Sequence, residues 1–155
     1  MYLVQKLLTI KFLKMIIYGF TIILLRHDNL LNEKLSKKEK ENILDLSKQV
    51  REKYLKPEHK VELLCNVYSP LFLPIYEDIK TNCKVLLSLT QEIDPMYPKA
   101  SFRYIQESIL SFKRDVLIIL CHEKLFKLML HKHNHKSESY LKALIINRTE
   151  IEEIK

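Results

Sequence analysis

Residues 115–122 read Asp115-Val116-Leu-Ile-Ile-Leu120-Cys121-His122, and the fold turns on this stretch. Five consecutive aliphatic residues, with no polar residue alternating among them, describe a strand covered on both faces, as in the middle of a parallel sheet. Cys121-His122 stand at its C-terminal end. Glu123–Leu130 follows with Leu125, Leu128 and Met129 at helical spacing, so the strand hands directly to a helix. Much earlier in the chain, Thr21-Ile-Ile-Leu-Leu25 has the same character and ends in the same way, in Arg26-His27.

Between these two strands, helical and strand patterns alternate. Ser36 and Glu39 have the spacing of a capping box, which satisfies the first backbone N–H groups of a helix. Ile43, Leu46, Val50 and Tyr54 then recur at helical spacing until Pro57 ends the pattern. Val61–Tyr68 is a strand closed by Ser69-Pro70. Phe72, Tyr76, Ile79 and Cys83 mark the next helix face, with Pro74 tolerated only in its first turn. Val85–Leu89 is a short strand, and Gln91–Ala100, broken by Pro95 and Pro98, is a loop. Ser101 is predicted to cap a helix with Phe102, Ile105, Ile109 and Phe112 facing inward. After a polar loop, His131–Ser139, the segment Tyr140–Ile146 reads as a final strand and Asn147-Arg148 as a turn. No internal repeat is visible. The alternation predicts an α/β domain with a mostly parallel sheet, spanning 19–147, with an extension at 1–18 and a tail at 148–155.

Composition narrows the function classes. With 155 residues, 47% of them apolar, and a single glycine, the chain has enough material for one packed core and little for disorder. A net charge of +7 suits contact with anions such as phosphoesters or phosphoproteins, or else is a lysine-rich solvated surface. The charges of Glu33–Lys60 mix both signs, and no one-sided basic stripe with interleaved aromatics argues for nucleic acid. Cys65, Cys83 and Cys121 lack CxxC spacing and are odd in number, so neither disulfides nor a zinc cluster is expected; a reducing cytoplasm is. Met1–Leu25 carries Lys6, Lys11 and Lys14, and its uncharged run Met15–Leu25 falls short of the roughly 20 residues a spanning helix needs. Stable membrane insertion is therefore not expected, nor is a signal peptide.

The candidate chemistry lies where the two buried strands end. Ligands of open parallel sheets bind at the carboxyl ends of the strands. Arg26, His27 and His122 are thus predicted to converge on one edge, where the helix after His122 also directs its N-terminal N–H groups, an arrangement that favours an anion. A lone Arg-His pair or a lone strand-end histidine is an ordinary surface feature; their joint placement is what singles them out. His131, His133 and His135 alternate in a lysine-rich segment, but no cysteine or carboxylate stands at a spacing that would complete a metal site. Cys121 sits next to His122, and neighbours in a strand point apart, so an inert core thiol is expected there.

Leu25-Arg26-His27 after an apolar strand, Ser69-Pro70 at the end of the next, and His122 after a later one occur in an order that resembles the histidine phosphatase superfamily over residues 20–146. The short bacterial phosphohistidine phosphatases, of about this length, are the nearest comparison. The resemblance implies a three-layer α/β sandwich of the phosphoglycerate mutase type. It also implies catalysis without metal or other cofactor, with His27 as the nucleophile that accepts the phosphoryl group. Arg26 would grip phosphoryl oxygens through forked hydrogen bonds. His122 would stabilise charge in the transition state, and the Ser69-Pro70 turn would shape the wall. A general acid would come from the loop after the third strand, where Glu92 and Asp94 lie; Glu92 is the candidate chosen. The implied partner is a phosphorylated protein or a small phosphoester.

This chain departs from the pattern at three places. The family usually carries a second arginine three residues after the proline, and Leu73 stands there; a lost phosphate clamp costs about 3 kcal/mol of transition-state stabilisation by analogy with a lost oxyanion donor. Glu77-Asp78 replace a neutral pair in the same helix, and Asp28 replaces a small residue after the nucleophile. Lys80, Lys99 and Arg103 are the candidates to supply the missing charge. Two readings follow: a phosphatase working through a phosphohistidine, or a degenerate relative that binds a phosphorylated ligand or protein without turnover. A third is a basic protein without a phosphate site, docking to nucleic acid or membrane through its lysines.

Overall fold

The computed structural model describes residues 21–27, 34–108, 114–132, 142–146 and 151–155. The expected extension 1–18, Asp28, the turn Asn147-Arg148, and His133 and His135 lie outside them.

The elements run β1 (Thr21–His27), α1 (Lys37–Tyr54), β2 (Lys60–Asn66), α2 (Phe72–Ile79), β3 (Lys84–Thr90), α3 (Pro98–Ser108), β4 (Val116–His122), α4 (Glu123–Lys132), β5 (Ala143–Ile146) and β6 (Ile151–Ile154). Among the described residues the strands form one sheet in the order β3-β2-β4-β1-β5-β6. The first four are mutually parallel, and β5 and β6 add antiparallel at the β1 edge.

The unbroken apolar runs follow from this placement. On one face Ile22, Leu24, Leu117, Ile119 and Cys121 pack against Phe102 and Ile105 of α3 and Leu125, Phe126 and Met129 of α4. On the other, Ile23, Leu25, Ile118 and Leu120 pack against Ile43, Leu46 and Val50 of α1 and Ile75 and Ile79 of α2. A strand sandwiched between helix layers has no solvent face, hence no polar alternation. The result is the expected three-layer sandwich. Each fully buried side chain, Phe126 among them, contributes about 1.5–3 kcal/mol of transfer free energy.

Local chemistry sets the helix boundaries. The Ser36 hydroxyl accepts the Glu39 N–H, and the Glu39 carboxylate accepts the Ser36 N–H, each at 3.1 Å, which forms the predicted capping box. The α1 pattern ends at Tyr54, ahead of Pro57. Pro74 lies in the first turn of α2, where its missing N–H leaves no bond unmade. Ser101 does not cap α3: the helix begins earlier, at Pro98, whose fixed φ suits a first helical position. Ser101 instead lies inside the first turn, fully buried, accepting the Asp94 N–H at 2.8 Å and lying 2.9 Å from the Tyr97 carbonyl oxygen.

The sheet extends past the boundary read at residue 147. Ile151–Ile154, taken from the sequence as tail, pairs with β5 and covers its outer edge. A four-residue strand with two glutamates at its centre carries no apolar alternation, so its pairing is dictated by backbone hydrogen bonds the sequence does not display. Among the described residues, no helix is long and apolar enough to cross a membrane.

Candidate active site

β1 and β4 are hydrogen-bonded neighbours in a register that sets His27 beside His122 and Arg26 beside Cys121. Neighbouring strands lie about 4.8 Å apart, so paired residues project side by side from the same face. The two imidazoles therefore meet, their ring centroids 5.9 Å apart and their planes at 80°. His122 Nδ1 accepts the Lys124 N–H at 3.4 Å, which leaves the ring proton of the neutral form on Nε2, as a donor.

Both rings line a pocket with Asn66, Ser69, Ile93, Asp94, Pro95, Leu120 and Leu125. Its cavity volume is only about 10 Å³, room for a single water-sized group, and it opens to solvent. The side chains come from the C-terminal ends of β1, β2 and β4, the start of α4 and the β3–α3 loop, so one edge of the sheet builds the site, as an open parallel sheet requires. Ser69 forms part of the wall, its hydroxyl accepting the Leu71 N–H at 3.3 Å.

Asn66, which the sequence reading passed over, joins two pocket loops. Its buried side-chain amide donates to the Ile93 carbonyl and accepts the Tyr68 N–H at 2.8 Å, tying the β2–α2 turn to the β3–α3 loop. An asparagine closing an apolar strand was the available signal, because a buried amide must find partners.

The structure brings His27 and His122 together but sends Arg26 elsewhere. Consecutive strand residues face opposite sides. The Arg26 guanidinium accordingly leaves toward the α4 layer, where Nη2 lies 3.6 Å from Glu123 Oε1. Arg26 is not among the pocket-lining residues.

Glu92 is exposed and outside the lining, whereas Asp94, two residues on, is part of it. The Asp94 carboxylate also accepts the Met96 N–H at 2.9 Å, which fixes the turn that holds it. Leu73 is half exposed and lines a separate groove with Lys40, Leu44, Pro74, Glu77 and Asp78. Asp78 is engaged by the Ser47 hydroxyl at 2.7 Å and by Arg51 Nε at 3.3 Å, so its charge serves to join α1 and α2. Lys80, its ammonium 5.2 Å from the Tyr76 ring centroid, is exposed like Lys99 and Arg103, and none of the three lines the pocket.

Cys121 is fully buried, and desolvation pushes its thiol far above the ordinary range; Cys65 is pushed up to about 12 for the same reason. Neither forms the thiolate that nucleophilic attack needs. Among the described residues, no group of histidine, cysteine and carboxylate side chains is arranged to hold a metal ion.

No protein-family profile and no curated protein matches the sequence. Solved structures do match the fold. The chain is similar to the protein assigned as phosphohistidine phosphatase SixA from Agrobacterium tumefaciens, with a TM-score of 0.55 and 7% identity, covering 88% of this chain and 97% of that one. It is also similar to phosphoglycerate mutase from Plasmodium falciparum, with a TM-score of 0.52 and 10% identity, covering 87% and 88%. Both neighbours belong to the histidine phosphatase superfamily, and this chain has their α/β fold.

Proposed function

We propose that this protein transfers phosphoryl groups to water through His27. The reading rests on one observation above the others: two histidines from distant parts of the chain share one pocket at the carboxyl edge of the sheet, ring centroids 5.9 Å apart. An imidazole nitrogen of His27 attacks phosphorus, forming an N–P bond as the bond to the leaving group breaks. His122 Nε2–H donates to a phosphoryl oxygen as charge builds there. Asp94, which lines the pocket as Glu92 does not, is our assignment for the group that gives a proton to the leaving group and then takes one from the water that hydrolyses the phosphohistidine. A phosphorylated imidazole is itself a good leaving group and needs little acid help, so a phosphohistidine protein is a substrate that does not depend on the Asp94 proton, whereas a simple phosphoester does. The +7 net charge suits such an anionic partner, and three buried free thiols suit a reducing cytoplasm.

The test is phosphate release from a generic aryl phosphate and from a phosphohistidine peptide. His27→Ala is expected to lower turnover roughly 10³-fold or more, as loss of a nucleophile does. Equal rates for both proteins would remove the proposal.

One observation favours the second reading, ligand binding without turnover: among the described residues, the pocket lining contains no arginine or lysine. Tight phosphate binding with no release from either substrate would establish it.

A further inference from the structure

Arg26 lies at the end of β1, one residue from the candidate nucleophile, yet its guanidinium is engaged by a carboxylate. Glu123 is the first residue of α4 and directly follows His122. Its Oε1 lies 3.6 Å from Arg26 Nη2 and 2.6 Å from Nζ of Lys127, one helical turn further on. Lys127 is thus the nearer cation, and Glu123 keeps a partner if Arg26 leaves. The carboxyl is held below its ordinary range, first by the hydrogen bond from Lys127 and the charge behind it, then by Arg26 and His122, so Glu123 is an anion at neutral pH.

The Arg26 side chain is only 12% exposed, and its backbone lies next to His27 at the open C-terminal end of β1, beyond which the guanidinium has no strand between it and the pocket edge. Among the described residues, the pocket itself offers a phosphoryl group two imidazoles and no guanidinium. A dianion bound between those rings would compete with the Glu123 carboxylate for the same fork of donors, and guanidinium binds phosphate bidentately.

We propose that Glu123 is a resident anion that occupies Arg26 and sets the affinity of the site for phosphate, with the guanidinium passing from Glu123 to the ligand while Lys127 retains Glu123. This rests on the reading of the His27–His122 pocket as a phosphoryl site. Glu123 acts through Arg26 and is a positioning residue. It holds the arginine against α4 in the empty site and makes ligand binding an exchange of anions instead of a simple addition.

The experiment is a calorimetric titration of the full chain with inorganic phosphate, on the parent, Glu123→Gln, Arg26→Ala, the double variant and His27→Ala, each first shown to be folded by circular dichroism. Glu123→Gln is expected to bind phosphate about three- to tenfold more tightly, the scale of freeing one partly screened guanidinium. In the Arg26→Ala background the same substitution is expected to change affinity less than about twofold, because the competition has been removed. A Glu123→Gln protein no tighter than the parent overturns the inference, as does an equal gain without Arg26, which would mark a general field effect. If Glu123→Gln has no effect while His27→Ala weakens phosphate binding, the inference falls and the pocket reading stands. If no variant binds phosphate, both fall.

Discussion

Asn66→Ala is expected to loosen the candidate site and the fold together. The Asn66 side chain is 5% exposed and makes two hydrogen bonds, donating to the Ile93 carbonyl and accepting the Tyr68 N–H. Each is worth about 1 kcal/mol net, and losing the amide leaves a carbonyl and an N–H to find water in a confined place, so the total is about 2–4 kcal/mol. For a chain of this size, 1 kcal/mol shifts the melting temperature by about 2–4 °C, which gives a fall of roughly 4–16 °C. The two groups released belong to the loops carrying Ser69 and Asp94, so turnover should fall further than the folded fraction alone accounts for. Urea unfolding gives the stability change, and phosphate release at a temperature where both proteins are folded gives the activity. An Asn66→Ala protein within about 0.5 kcal/mol of the parent, the range of an ordinary surface substitution, would refute the reasoning.

Three further outcomes follow from the same structure. Phe126, fully buried between α4 and the sheet, should lose about 3–5 kcal/mol on replacement by alanine, read from the urea midpoint; a smaller loss would mean the face is not closely packed. Glu62 is 3% exposed, and burial raises its carboxyl above the ordinary 4.5, with Arg114 and a hydrogen bond from Ser88 only partly offsetting this. The folded state therefore holds the proton more tightly than the unfolded chain. The stability this brings is complete below about pH 4.5 and is lost as pH rises through the folded value. Glu62→Gln should accordingly melt at or above the parent at pH 8, with the parent gaining relative to it toward pH 4.5; a difference independent of pH would contradict this. Cys65, Cys83 and Cys121 are buried thiols with raised pKa values, so a thiol reagent should label them only as fast as the protein unfolds, and rapid labelling of the native protein would count against the core as described.

Much of the architecture was legible in particular residues. Val116–Leu120 and Thr21–Leu25 announced two-sided burial through unbroken apolar runs, and Ser36 with Glu39 announced a helix start. The family resemblance put the Ser69-Pro70 turn at the pocket wall, and Ser69, whose hydroxyl closes its own turn within two residues, is part of the lining. Strand alternation also contained the divergence of Arg26 from His27, although the convergence of all three site residues on one edge had been expected. The difference between Glu92 and Asp94 was not readable, because both lie in one loop and only the turn fixed by Ser101 and Met96 brings Asp94 into the pocket lining.

The sequence by itself determined most of the strands and helices, Ile151–Ile154 excepted, and which face of each is apolar, because periodicity and capping act between residues a few positions apart. Tertiary structure alone decided that His27 stands in register with His122, that Asn66 spans two loops, that Glu123 holds Arg26 and that Ile151–Ile154 joins the sheet. Those contacts depend on how separate elements are aligned when they pack, and nothing in the local pattern of either partner records that alignment.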